Sequence, residues 1–129
     1  MAEDQQFAAD VLALLPDGAT WRFHGPDNEW AALLPGLDSW QGELACWQIV
    51  VGGPERQALL ELLSREEDYG SGFFDQVESV IVEFDGQRLL EGFDGLEFVY
   101  VSRYLPIPEA FYSKYFAAHD ERVEQAKDW

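Results

Sequence analysis

The sequence predicts an α+β fold: one domain in which a mostly antiparallel sheet of about five strands carries N-terminal, central and C-terminal helices packed on it. Three observations lead there. Apolar residues recur at helical spacing near both ends and in the middle of the chain. Strand-like runs lie between those segments. The last three runs are joined by tight-turn residues, which makes neighbouring strands pair antiparallel. With 129 residues, 47% of them hydrophobic and 15% aromatic, the chain is long and apolar enough to bury its own core.

Glu3 to Leu15 reads as a helix, because Phe7, Val11, Leu14 and Leu15 share one face and Glu3 and Asp4 suit its N-terminus. Pro16-Asp17-Gly18 stops it. Thr20 to His24 is a short strand with Trp21 and Phe23 on one side. Gly25-Pro26 breaks that strand, and Asp27 or Asn28 can cap a short helix through Leu34, ended by Pro35-Gly36. Leu44 to Val51 is the next strand. After Gly52-Gly53, Pro54 at a first helical position opens a helix through about Glu67, with Leu59, Leu60, Leu62 and Leu63 as its apolar face.

Asp68 to Gly72 (DYGSG) then reads as a flexible loop. Strands follow at Val77–Phe84, Gln87–Leu90 and Leu96–Ser102. Asp85-Gly86 has the form of a two-residue hairpin turn needing φ > 0, and Gly92 and Gly95 free the chain to turn again. The Leu44–Val51 strand, its helix and the Val77–Phe84 strand can form one βαβ crossover. A last helix starts near Pro108 with Phe111, Tyr112, Tyr115 and Phe116 as its apolar first half. From about Asp120 to Trp129 the chain reads as a polar, frayed end.

Charge narrows the function. The chain has 25 Asp+Glu against 8 Lys+Arg, a net charge of -17. That field repels nucleic acid and anionic membranes and suits a basic protein or a cation. The one cysteine, Cys46, excludes an internal disulfide, and its apolar flanks make it a buried small hydrophobe rather than a nucleophile. The opening MAEDQQ is acidic where a signal peptide is basic, and no apolar run approaches a membrane span. The expectation is a soluble, cytoplasmic protein.

No catalytic or metal-binding residue is assigned and no cofactor is expected. His24 and His119 stand 95 positions apart without nearby His or Cys, so zinc and iron lack ligands. The EF-hand pattern is absent, and Asp85 and Asp94 can share a cation only if the hairpin brings them together. No Gly-x-Ser-x-Gly occurs; so many carboxylates offer acid–base pairs that none stands out. Gly52-Gly53-Pro54 lacks a P-loop Lys-Ser/Thr, and Glu55 directly after it repels an anion, so it is a plain helix start. Five Trp, nine Phe and five Tyr exceed what so small a core needs, which leaves Trp40 and Tyr69 as candidate exposed anchors.

The strand-turn-strand-helix stretch VIVEFDGQRLLEGFDGLEFVYVSRYLPIPEAF, residues 80–111, taken with the acidity, size and α+β pattern, resembles the small acidic immunity proteins that neutralise bacterial toxins. It is a resemblance of class and carries over no individual residue. It implies a cognate basic toxin, often a nuclease, whose substrate cleft is blocked by an acidic surface after electrostatically steered association. Acidic secretion chaperones, usually dimeric, are a related alternative, so the chain is a monomer or a homodimer. A small carboxylate-based enzyme or ligand-binding domain is the alternative from another class, and a structural subunit of a larger assembly is the plainest. The residues assigned to partner binding come from charge and expected exposure. Glu66, Glu67 and Asp68, against the dipole preference of a helix end, adjoin Tyr69 and Asp75; Asp85, Glu91 and Asp94 form a second patch; Trp40 is the separate anchor.

Overall fold

A computed structural model of the protein describes residues 3–26, 32, 34, 36–40, 45–69 and 73–129; the side chains of residues 65–69, 73 and 75 stand outside that description. In chain order the elements are α1 (Glu3–Leu14), β1 (Ala19–His24), β2 (Asp38–Ser39), β3 (Cys46–Val51), α2 (Gly53–Tyr69), α3 (Phe73–Gln76), β4 (Ser79–Phe84), β5 (Gln87–Phe93), β6 (Phe98–Val101), α4 (Glu109–Phe111, continued by a π-helical turn over Tyr112–Phe116) and β7 (Val123–Gln125). The helix expected from Asp27 or Asn28 lies outside the described residues.

The strands form one sheet of seven in the order β2-β3-β1-β4-β5-β6-β7. All pairings are antiparallel except β6 with β7. The α+β prediction therefore holds, with seven strands in place of about five. Both β3 and β4 run antiparallel to β1, which lies between them, so β3, α2 and β4 make a parallel crossover that skips one strand.

Alternation along each strand sorts the side chains into two faces. Ala19, Trp21 and Phe23 of β1 oppose Val51, Ile49 and Trp47 of β3, and Trp21 and Phe23 oppose Val82 and Val80 of β4. This face continues through Leu90, Val99 and Val101 and is buried under Phe7, Val11 and Leu12 of α1 and Leu59, Leu62 and Leu63 of α2. Thr20, Arg22, Ile81, Glu91 and Tyr100 point the other way and stay half-buried. No described helix covers that second face.

Polar contacts fix the helix ends. Arg56 on α2 donates to the carbonyls of Leu12 and, at 2.6 Å, Leu15, which meets acceptors left open where α1 stops. Gln5 of α1 donates to the Leu63 carbonyl at 3.0 Å. Glu55 accepts from the Gly52 amide at 2.9 Å, so the residue expected only to repel anions closes the start of α2.

Several boundaries differ from expectation. DYGSG is not wholly a loop: α2 continues through Asp68 to Tyr69, and α3 follows at Phe73. The Asp85-Gly86 turn forms as expected, with φ of 51° and 76° at its two central residues. Gly92, by contrast, makes no turn. It sits buried inside β5, where a Cβ would stand 2.7 Å from Leu96 Cδ2 and 3.0 Å from Val80 Cγ1. The turn into β6 is made by Asp94, Gly95 and Leu96, all at positive φ.

The C-terminal end is not frayed. After α4 the chain returns beside β6 as β7, with Val123 and Ala126 buried. Ala126 donates to the Val101 carbonyl at 2.8 Å, and the Trp129 carbonyl accepts from the Arg103 amide at 3.0 Å. A three-residue strand with one inward apolar side chain leaves too little periodicity to be read from sequence.

Candidate protein-binding surface

The chain's cations are largely consumed by its own acids. Arg22 pairs with Glu83 at 3.1 Å, Arg56 with Asp17 at 3.1 Å, Arg88 with Glu91 at 3.3 Å and Lys114 with Asp10 at 3.0 Å. Arg122 binds Asp120 at 2.7 Å, Asp4 at 3.2 Å and Glu3 at 3.5 Å. Its hydrogen bond holds the Asp120 carboxyl below the usual carboxylate range, and Asp120 in turn raises the Arg122 guanidinium. Most of these pairs are intramolecular staples: Arg122 also lies 4.6 Å over the Phe7 ring, tying the C-terminal segment to α1. Among the described residues the acids without such a partner include Asp38, Asp85, Asp94, Glu97, Glu109, Glu121, Glu124 and Asp128.

Topology gathers acidic positions at one end of the sheet. There β1 ends, β4 begins and β5 turns into β6. The Glu78 amide donates to His24 O at 2.7 Å, the Asp94 amide to Glu78 O at 3.1 Å, and the Gly95 amide to Val77 O at 2.8 Å. Because β3 runs away from this end, α2 must run back to it, and its last turn leads through α3 to β4. The Phe74 carbonyl packs so close to Gly95 that a Cβ there would stand 2.4 Å from it. The chain at Glu66, Glu67, Asp68, Tyr69 and Asp75 thus arrives at the same end as Asp94, although those five side chains lie outside the described residues. Glu78, 2.8 Å from His24 Nδ1, and Glu97, both exposed, belong to this rim and were not among the expected residues. Their signal was available: Glu97 lies three positions after Asp94, within the same turn.

The second expected patch does not exist as one surface. Asp85 and Asp94 occupy the turns at opposite ends of β5, whose seven residues hold them roughly 23 Å apart at about 3.3 Å per residue. Glu91 lies on the helix-free face in mid-strand, paired with Arg88. Trp40 is half-buried, with the Arg22 guanidinium 5.4 Å from its ring centroid, so it holds an intramolecular arginine instead of standing free as an anchor.

Among the described residues the exposed aromatics are Phe84, Tyr104 and Tyr112, and a group of half-buried rings lies elsewhere. Phe93, Phe98 and Tyr100 share the helix-free face over β5 and β6, with Tyr100 edge-to-face against Phe98 at 4.9 Å and Phe93 at 6.3 Å. Trp129 joins them: the Arg88 guanidinium lies 5.5 Å over its ring. Phe93 and Trp129 escaped because β5 was expected to end at Leu90 and the chain beyond Asp120 to be frayed; Phe98 and Tyr100 lie in the expected Leu96–Ser102 strand, but the face they share depends on its register.

Comparisons with protein-family models, with curated proteins and with solved structures return no match. The site is therefore read from its own chemistry. Among the described residues no group of three or more His, Cys, Asp and Glu side chains is placed to hold a metal ion, and no helix is long and apolar enough to cross a membrane. The concavity between β1, β2 and β3 joins Arg22, Asp38, Gln48 and Glu55 and is open to solvent. What the arrangement offers chemically is carboxylate without a Lys or Arg partner at the end of the sheet, as at Asp94 and Glu97, and half-buried aromatic rings on a face that no described helix covers.

Proposed function

We propose that the protein is a non-catalytic binding domain for a basic protein, acting as an immunity or inhibitor protein in the bacterial cytoplasm. Its partner is a basic toxin, with a nuclease as the natural class, whose active site or substrate cleft it covers. One observation supports this reading above the others: five of the chain's eight Lys and Arg side chains are held by its own carboxylates, while acidic positions on α2, α3, the entry to β4 and the turn from β5 to β6 converge on one end of the sheet. The acids left without a cation of their own add to an outward negative field. Such a surface speeds encounter with a positive cleft, which must itself be basic to bind a nucleic acid backbone.

The experiment is capture and inhibition. The immobilised protein, exposed at low ionic strength to a lysate of its source cells, retains a basic protein that elutes as salt rises. Stoichiometric addition of this protein to the purified partner then abolishes the partner's activity. Recovery of nothing beyond the chain itself, or of a partner whose activity is untouched, overturns the reading.

A further inference from the structure

We propose that the face over β5, β6 and β7 that no described helix covers grips an arginine side chain of a basic protein partner, with Tyr100 and the Trp129 wall supplying rings and Glu124 the carboxylate, beside the Arg88 that Trp129 and Glu91 already hold. This rests on the reading of a basic partner and adds where short-range contact is made.

The register sets the arrangement. Glu91 opposes Tyr100 on β5 and β6, and Tyr100 opposes Glu124 on β6 and β7. Neighbouring strands lie about 4.8 Å apart, so a carboxylate flanks the tyrosine on each side. Tyr100 is braced edge-to-face by Phe98 and Phe93, which fixes its ring without help from a partner. Trp129 closes the far side of a concavity of about 360 Å3 that Glu91, Tyr100 and Glu124 also line.

The face already shows how it holds a guanidinium. Arg88 lies 5.5 Å over Trp129 and 3.3 Å from Glu91; Arg22 lies 5.4 Å over Trp40 and 3.1 Å from Glu83. Twice, then, this sheet face places a planar cation between an indole and a carboxylate. The concavity beside Tyr100 shares Trp129 and Glu91 with Arg88, and Tyr100 and Glu124 are the ring and the carboxylate it adds; Glu124 has no cation partner among the described residues. Lys127 borders the concavity on an exposed stem and can swing away. A second copy of the chain is a poor occupant, because each copy has a net charge of -17 and would bring like charge to the contact. Arginine suits the site better than lysine, since its plane stacks on a ring while its edge donates to carboxylates.

Titration of the isotope-labelled full chain with acetylated, amidated hexa-arginine and hexa-lysine peptides at low salt tests this. The expected shifts centre on Phe98, Tyr100, Glu124 and Trp129, and hexa-arginine binds at least about threefold tighter than hexa-lysine. Trp129→Ala and Glu124→Lys remove that preference, while Glu97→Lys at the acidic end weakens both peptides alike. Shifts confined to other surfaces, equal affinity for the two peptides, or an unchanged preference in Trp129→Ala overturns the proposal. Movement of the same resonances on dilution without peptide marks a homodimer interface and overturns it too. Failure of the capture experiment with the arginine preference intact rejects only the immunity reading. An inhibited basic partner whose dissociation ignores Trp129→Ala and Glu124→Lys rejects only this surface.

Discussion

Tyr115 donates a hydrogen bond to Asp10 Oδ2 at 2.5 Å, joining α4 to α1 across 105 positions of sequence. Burial pushes the Asp10 carboxyl up, but the hydrogen bonds from Tyr115, Lys114 and Gln6 together outweigh it and hold it below its ordinary value. Burial and the same bond raise the Tyr115 hydroxyl. Phe7 packs edge-to-face on Tyr115 at 5.1 Å, so the polar contact is backed by a fully buried ring.

Tyr115→Phe should therefore cost about 1.5 kcal/mol at neutral pH, the scale of a partly buried hydrogen bond to a charged acceptor. A carboxylate with a depressed folded pKa contributes stability that is complete above its unfolded pKa and lost as pH falls through the folded one. The gap between wild type and Tyr115→Phe should stay constant from about pH 7 to pH 5 and shrink below about pH 4. Urea unfolding across that range measures it. A gap that persists unchanged in acid contradicts the assignment to Asp10.

Two glycines at positive φ should respond differently to alanine. Gly86 has φ +76° and open space around it, so Gly86→Ala meets only backbone strain and should cost about 1 kcal/mol. Gly95 has φ +69° with the Phe74 carbonyl against it, so Gly95→Ala must also move α3 and should cost about 3 kcal/mol or more. Denaturant midpoints of the two variants give the comparison; equal losses refute the packing of α3 on the β5–β6 turn.

The return of the chain as β7 predicts slow hydrogen exchange at Val99 and Ala126, whose amides donate to Arg122 O and Val101 O at 2.8 Å each. Val123→Asp, at a side chain only 7% exposed, should destabilise the whole domain by about 2 to 4 kcal/mol. A frayed end would instead give fast exchange and a neutral substitution.

Much of the fold was legible because it is written in long periodic segments. The Phe7–Val11–Leu15 stripe, the Trp21 and Phe23 alternation, the leucines of α2 and the Asp85-Gly86 turn each carry a local physical signal that the tertiary structure kept. What escaped was short or non-local. β2 has two residues and β7 three, so their identity comes from pairing with β3 and β6 and not from their own pattern. Gly92 looked like a turn residue, yet its lack of a side chain serves Leu96 and Val80 across the core.

The candidate site divides along the same line. Acidity near the end of α2 and at Asp94 was visible as composition, and the crossover brings those positions to one end. Whether Asp85 or Trp40 stood with them depended on strand direction and on Arg22, neither of which a local window contains. The facing of Glu91, Tyr100 and Glu124 is a matter of register between three strands, one of them unexpected.

If the protein binds a basic partner as proposed, the acidic end of the sheet steers that partner into contact. Stopped-flow association of that partner with wild type and with the combined Glu66→Lys, Glu67→Lys and Asp68→Lys variant, from low to high salt, tests it most directly. Association should be about tenfold slower for the variant at low salt, the two should converge as salt screens the field, and the dissociation rate should be unchanged. Equal association rates at low salt would contradict it.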